Sequence, residues 1–257
     1  MSLKSLMDYT FVSKYARWIP EKKRRETWNE AVDRVKQMML EKYADKPEAL
    51  PEIEWAYEQM RKKRVLGSQR ALQFGGEQLM KHQMRMYNCT SSYADRPAFF
   101  GEFFYILLCG AGAGFSVQEH HIAKLPKIQL RTKQAKGYIV EDSIEGWASA
   151  LDVLMSSFFV GGGKYPDYEG RRVFFDLSQI RPKGAKISGG FKAPGPEGLR
   201  KSLDKIEHML QGMVMDAKEP VSLRPITVYD ICMHAADAVL SGGVRRSATI
   251  CLFSPED

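Results

Sequence analysis

The order of apolar runs beyond residue 80 most constrains what this 257-residue chain can fold into. Short strand-like stretches alternate there with helix-length amphipathic ones. "MRMYNCTS" (84–91) alternates as a strand does, and "RPAFFGEFFYILLCG" (96–110) reads as a buried helix that starts near a proline. "AGFSV" (113–117) is a short strand after a glycine cluster. Ile144, Trp147, Leu151, Leu154 and Phe158 recur at helical spacing over 142–159. "RRVFFDLSQI" (171–180) is an apolar strand, helices follow at 197–212 and 227–240, and "ATICLF" (248–253) is a last strand. Alternation of this kind predicts an α/β fold with a largely parallel sheet. The last strand is apolar along its length, which predicts burial on both faces. Before residue 80 the pattern is helical. Trp28, Ala31, Val32, Val35, Met38 and Met39 mark one face of a helix over 20–43, entered at Pro20, and a second helix spans 51–65. The predicted organisation is an N-terminal helical region, 1–80, and an α/β region, 81–257.

Composition narrows the class. Hydrophobic content of 44% and charged content of 27% suit a globular protein. No run reaches the roughly 18 apolar residues of a membrane span. The first twenty residues lack the apolar core of a secretory signal, so a cytoplasmic protein is expected. The four cysteines, Cys89, Cys109, Cys232 and Cys251, are far apart with no CxxC, which argues against a disulfide scaffold and a zinc site. The five histidines form no HExxH; His120 and His121 read as an exposed turn, and no metal is expected. The net charge is +7, and two basic runs, "EKKRR" (21–25) and "RKKR" (61–64), read as solvated helix ends that also attract polyanions. No aromatic–basic interleaving runs along the sequence, so nucleotides are favoured over direct nucleic-acid binding.

Three glycine-rich stretches remain. "CGAGAGF" (109–115) has the order helix, glycines, strand, the reverse of a dinucleotide fingerprint, and predicts a helix stop followed by a close backbone crossing. "RPKGAKISGG" (181–190) and "SGGVRRS" (241–247) join glycines, which let backbone N–H groups converge on an anion, to Lys and Arg. They are candidates for a phosphate or nucleotide site, with ordinary solvent loops as the alternative. Cys89, inside "YNCTSS", is by local sequence a core residue, a metal ligand or a reactive cysteine.

Taken together, "YNCTSS", "GAGAGFSVQ", "KLPKI", "DSIEGW", "DLSQIRPKGAKISGG", "APGPEGL" and "DAVLSGGVRRSATICLF" resemble, in order, the N-terminal part of an adenosylcobalamin-dependent (class II) ribonucleotide reductase, most closely the monomeric ribonucleoside-triphosphate type. The resemblance spans about residues 60 to 257. It implies part of a ten-stranded α/β barrel, with an insertion at about 118–170. It implies that Cys89 is one of two redox-active thiols, with Asn88, Thr90 and Ser91 near the ribonucleotide substrate. It also implies that residues 182–196 and 241–247 are specificity loops. Arg181, Lys183, Gly184, Lys186, Gly189 and Gly190 would then serve a deoxynucleotide effector, and Gly243, Arg245 and Arg246 would face the substrate.

The family's radical-bearing cysteine, its second redox cysteine and most of its cobalamin site lie later than this sequence reaches. Cys232 within a helix and Cys251 on the core side of a strand lack the Asn-x-Cys-x-Glu surroundings and are not substitutes. The implied partners are therefore a second polypeptide with the C-terminal half and a dithiol reductant such as a thioredoxin. The alternatives are an inactive truncated fragment and a non-catalytic nucleotide-binding module.

Overall fold

A computed structural model describes residues 2–187, 191–240 and 248–256. It separates into two units, one of residues 1–88 with 186–191, the other of 89–185 with 192–257.

The first unit is mainly helical. Helix α1 (Leu3–Lys14) precedes a two-residue ribbon, β1 (Trp18–Ile19) against antiparallel β2 (Arg24–Arg25). Pro20 turns this ribbon and does not open the expected helix. That helix, α2 (Trp28–Lys42), starts eight residues later because Thr27 and Glu30 form a reciprocal capping box. The capping signal outweighs the proline. The run at 21–25 accordingly lies in a turn and strand, not at a helix end.

Helix α3 (Leu50–Arg61) stops before residue 65. Its last carbonyls are taken by Arg64 N–H to Gln59 O at 3.0 Å and Lys63 N–H to Met60 O at 2.9 Å, with Lys63 left-handed at φ 57°. Short helices α4 (Gln69–Phe74) and α5 (Glu77–Lys81) complete the unit. Ala31, Val32, Val35 and Met38 of α2 bury against Met60, Ala71, Leu72 and Leu79. Buried Glu26 fastens the ribbon to this core. It accepts from the Arg17 N–H and from two nitrogens of Arg34, whose guanidinium also donates to Leu72 O and Gly75 O.

The second unit holds two parallel sheets. Strand β3 (Cys89–Tyr93) and, after helix α6 (Phe99–Leu108), strand β4 (Gly112–Ser116) pair in parallel. Residues 84–86, read as part of the strand, lie in a 3-10 turn (Gln83–Met86) instead. After the short helix α7 (Glu119–Ile122) comes β5 (Lys133–Ile139), which the sequence did not reveal because lysine, glutamine and glycine fill it. Helix α8 (Ile144–Phe158) leads to β6 (Arg171–Asp176), parallel to β5. The predicted loop is interrupted by two-residue strands, β7 (Lys186–Ile187), which belongs to the first unit, and β8 (Phe191–Lys192), which begins there. Helices α9 (Glu197–Val214) and α10 (Pro225–Leu240) follow, and β9 (Thr249–Leu252) returns to pair with β4, giving the parallel order β3-β4-β9.

One apolar core binds the second unit. Phe99, Phe100, Phe104 and Leu107 of α6, Leu151, Leu154 and Phe158 of α8, Leu199 and Ile206 of α9, and Val228 and Ile231 of α10 are all buried, with Phe115 of β4 beneath them. Asp152, deep in α8, caps α6 from outside. The carboxylate accepts from the Gly101 N–H at 2.8 Å, in the first turn of a helix with no side-chain cap of its own, and pairs with Lys164 at 2.8 Å. The two helices approach closely at glycine: a Cβ on Gly101 would fall 2.2 Å from the Asp152 Oδ2.

The expectation for the last strand is corrected. β9 alternates, with Thr249 and Cys251 half-buried while Ile250 and Leu252 are 66% and 57% exposed. One face alone meets the core. No helix among the described residues is long and apolar enough to cross a membrane.

Candidate functional site

Parallel pairing puts register partners on the same sheet face. Cys89, Ser91 and Tyr93 of β3 lie beside Gly112, Gly114 and Ser116 of β4, and the latter two beside Ile250 and Leu252 of β9. This outer face is a trough. Its floor is the glycine strand, one rim carries the exposed Cys89, Ser91 and Tyr93, and the other carries Ile250 and Leu252. The floor has little room for side chains: a Cβ on Gly114 would stand 3.3 Å from Thr90 O. The helix–glycine–strand reading of 109–115 holds, since α6 ends at Cys109, Gly110 takes φ +84° and the strand follows.

Cys89 heads the edge strand and is exposed. Thr90, on the opposite, inner face, donates its hydroxyl to Gly112 O at 3.1 Å and ties the two strands where Cys89 sits. Asn88 is exposed, and its Oδ1 accepts from the Arg70 Nε at 2.6 Å. The other three cysteines differ. Cys109 and Cys232 are buried, Cys232 in the middle of α10, and Cys251 is half-buried. Burial pushes the thiols of Cys232 and Cys251 up, Cys232 strongly and with a further contribution from its neighbour Cys251. A thiol held protonated is a poor nucleophile. Alkylation of the native chain by iodoacetamide at neutral pH is therefore expected to reach Cys89 about tenfold or more ahead of Cys109 and Cys232. Peptide mass spectrometry at short times checks this, and equal labelling of a buried cysteine would contradict the exposure pattern.

The remaining expected site residues are only partly placed. Arg181 is exposed and pairs with Asp142, where the chain leaves the carboxyl ends of β6 and β5; Lys183 and Gly184 are exposed beyond it. Gly184 adopts φ +89° and its N–H donates to Ala193 O at 2.9 Å, which closes the base of the loop. Lys186 lies on β7. Gly189, Gly190, Gly243, Arg245 and Arg246 lie outside the described residues.

A cluster that sequence reading missed occupies the carboxyl ends of the sheet. The His121 Nδ1 lies 3.0 Å from the Ser116 Oγ, Gln118 donates to Ser254 at 3.0 Å, and the His121 ring stacks on Tyr93 at 4.6 Å. The pair His120–His121 is in α7, not a free turn. Among the described residues no three His, Cys, Asp or Glu gather as metal ligands would.

Comparison with known proteins converges on one group. Residues 117–210 match the family described as "B12-dependent ribonucleotide reductase, insertion domain". The adenosylcobalamin-dependent ribonucleoside-triphosphate reductase of Lactobacillus delbrueckii subsp. bulgaricus is 27% identical, over 96% of this chain and 41% of its own length. That of Lactobacillus leichmannii is 26% identical with the same coverage. The crystal structure of a B-12 dependent (class II) ribonucleotide reductase shares the fold with a TM-score of 0.79 at 24% identity, over 97% of this chain and 42% of that one. The chain spans about two fifths of the length of the curated relatives it matches. In sequence and fold, this chain is thus similar along nearly its whole length to the N-terminal part of an adenosylcobalamin-dependent class II ribonucleotide reductase.

Proposed function

We propose that this chain is the N-terminal portion of a ribonucleotide reductase that converts ribonucleotides, at the triphosphate level its relatives' names imply, to deoxyribonucleotides. One observation carries the reading: the chain's exposed cysteine stands at the head of a parallel edge strand beside a glycine floor, in a sequence aligned with these reductases over 96% of its length. Loss of the ribose 2′-hydroxyl as water consumes two electrons and two protons. Cys89 and a second thiol deliver both by closing a disulfide, and an external dithiol reopens it by exchange. The Gly112–Gly114 floor lets a sugar approach the backbone, and Ser91, on the same face as Cys89, can hydrogen-bond it. Asn88 offers its amide nitrogen, its oxygen being held by Arg70.

Adenosylcobalamin, the cofactor in the relatives' names, supplies the initiating radical in such chemistry. The described residues do not fit it, because the sheet face is an open trough rimmed by exposed Ile250 and Leu252, with no enclosing wall. Its site is assigned to the portion of the relatives beyond this match. The test is reconstitution. With adenosylcobalamin, a dithiol and ribonucleoside triphosphates, this chain alone should form no deoxynucleotide, and adding the complementary portion should restore formation. Turnover by this chain alone would overturn the assignment.

Residues 182–196 and 241–247 would link effector and substrate. Gly242 and Gly243 are residue types open to backbone conformations closed to others, and Arg245 and Arg246 carry forked donors. Coupling between two such sites amounts to about 1–3 kcal/mol, or 5- to 150-fold in preference. Arg245→Ala or Arg246→Ala is expected to flatten the effector-dependent ranking of the four substrates while reduction of at least one persists. A matrix of four substrates against each deoxynucleotide checks it; an unchanged ranking in both variants makes the loop a connector.

A further inference from the structure

We propose that the first unit carries a binding face for single-stranded nucleic acid, independent of the reductase site. The charge distribution points there first. Residues 1–88 hold 18 Lys and Arg against 12 Asp and Glu, while the other 169 residues hold 20 against 19. Nearly all the chain's +7 therefore belongs to this unit.

The fold concentrates that charge further. The runs at 21–25 and 61–64, far apart in sequence, converge on the first turn of α2. The Trp28 Nε1 donates to Arg61 O at 3.1 Å, Lys63 lies over the Trp28 ring at 5.6 Å, and Lys22 and Arg24 both reach Glu30. Seven of the eight cations, Lys22 to Arg25 and Lys62 to Arg64, are exposed. Glu30, Glu58, Asp33 and Asp8 neutralise part of the set, and Lys23, Arg25 and Arg64 have no carboxylate partner among the described residues. Lys23 and Lys63, one in each run, are the two non-glycine residues described with left-handed backbone, at φ 49° and 57°. That conformation costs an L-residue about 1 kcal/mol, and glycine would remove the cost. Lysine stands at both turn tips.

Aromatic side chains select the ligand. Trp18, 55% exposed, is the register partner of Arg25 across the ribbon. Trp55, 66% exposed, lies two turns before Lys62 on the same side of α3. The aromatic–basic pairing absent along the sequence is thus formed across the ribbon by Trp18 and Arg25. Exposed indoles beside arginine and lysine suit unpaired bases, which stack while their phosphates meet the cations. An acidic peptide or a duplex would use the charge and leave the indoles idle.

The test is fluorescence polarisation of a labelled 20-nucleotide oligo-dT with the whole 257-residue chain. About three phosphate contacts predict a log–log salt slope near −2, so affinity should fall about 20-fold between 50 and 200 mM salt. Lys23→Glu with Arg64→Glu, both exposed positions, should weaken binding about tenfold or more. Trp18→Ala should weaken oligo-dT about fivefold or more and leave heparin unchanged. Far-UV circular dichroism confirms that each variant folds. No binding at 50 mM salt, equal binding of a duplex, or a Trp18→Ala chain that binds oligo-dT as before would overturn the proposal. So would preferential binding to phosphatidylserine vesicles, which would make the face a membrane surface.

Discussion

The Cys89→Ser chain is expected to fold as the parent does and, once combined with the complementary portion, to bring steady-state deoxynucleotide formation down to background. Serine changes the volume by little, and Cys89 is exposed at a strand head, so neither the core nor the β3–β4 pairing depends on its sulfur. The hydroxyl cannot form a disulfide, so the two electrons for the ribose have no source and no route for renewal. Far-UV circular dichroism and product assay on the same sample separate chemistry from folding. Cys109→Ser, buried at the C-terminal end of α6, is the control: it is expected to leave the chemistry in place. Near-parental turnover by Cys89→Ser would return that residue to an ordinary surface role.

The largest effect on stability is expected at Gly101. Its N–H is the donor through which buried Asp152 caps α6, and a Cβ there would meet the carboxylate at 2.2 Å. The carboxylate has nowhere inexpensive to move. It is 1% exposed, it also holds Lys164, and burial already pushes its carboxyl above the usual carboxylate range against the pull of both partners. Gly101→Ala should therefore destabilise the second unit by about 3 kcal/mol or more, through steric displacement and the loss of a buried, charged cap. Asp152→Asn keeps the shape and an acceptor for Gly101 and should cost less. Urea unfolding followed by circular dichroism measures both. A Gly101→Ala chain within about 1 kcal/mol of the parent would mean that the helices separate freely, contrary to the packing described.

Much of this fold could be read from the residue pattern. α6, α8, α9, α10 and the strands at 112–116 and 171–176 lie close to where periodicity puts them, because each buries one continuous apolar face. The misreadings share a cause. β5 is a strand that the residue pattern did not mark, since only Tyr138 packs toward the core. β9 reads as doubly buried because Ile250 and Leu252 are apolar, though both face outward. At Pro20 a weak helix-entry signal loses to the Thr27–Glu30 box. The candidate site was legible only in part. "YNCTSS" and the glycines of β4 mark the two strands, but that Cys89 stands beside Gly112 depends on a pairing 23 residues distant. The Asp152 cap and the His121–Ser116 contact were invisible, because each joins residues whose types suggest nothing until the fold brings them together.

The most direct test of the central claim is a single turnover without external reductant. The pre-reduced chain is combined with the complementary portion, adenosylcobalamin and one ribonucleoside triphosphate, then quenched with an alkylating agent. If Cys89 is one of the two thiols that reduce the ribose, one deoxynucleotide forms per enzyme. Cys89 then escapes alkylation in proportion, and is recovered by mass spectrometry in a disulfide with a cysteine of the complementary portion. Product formed in full while Cys89 remains alkylatable would contradict the account.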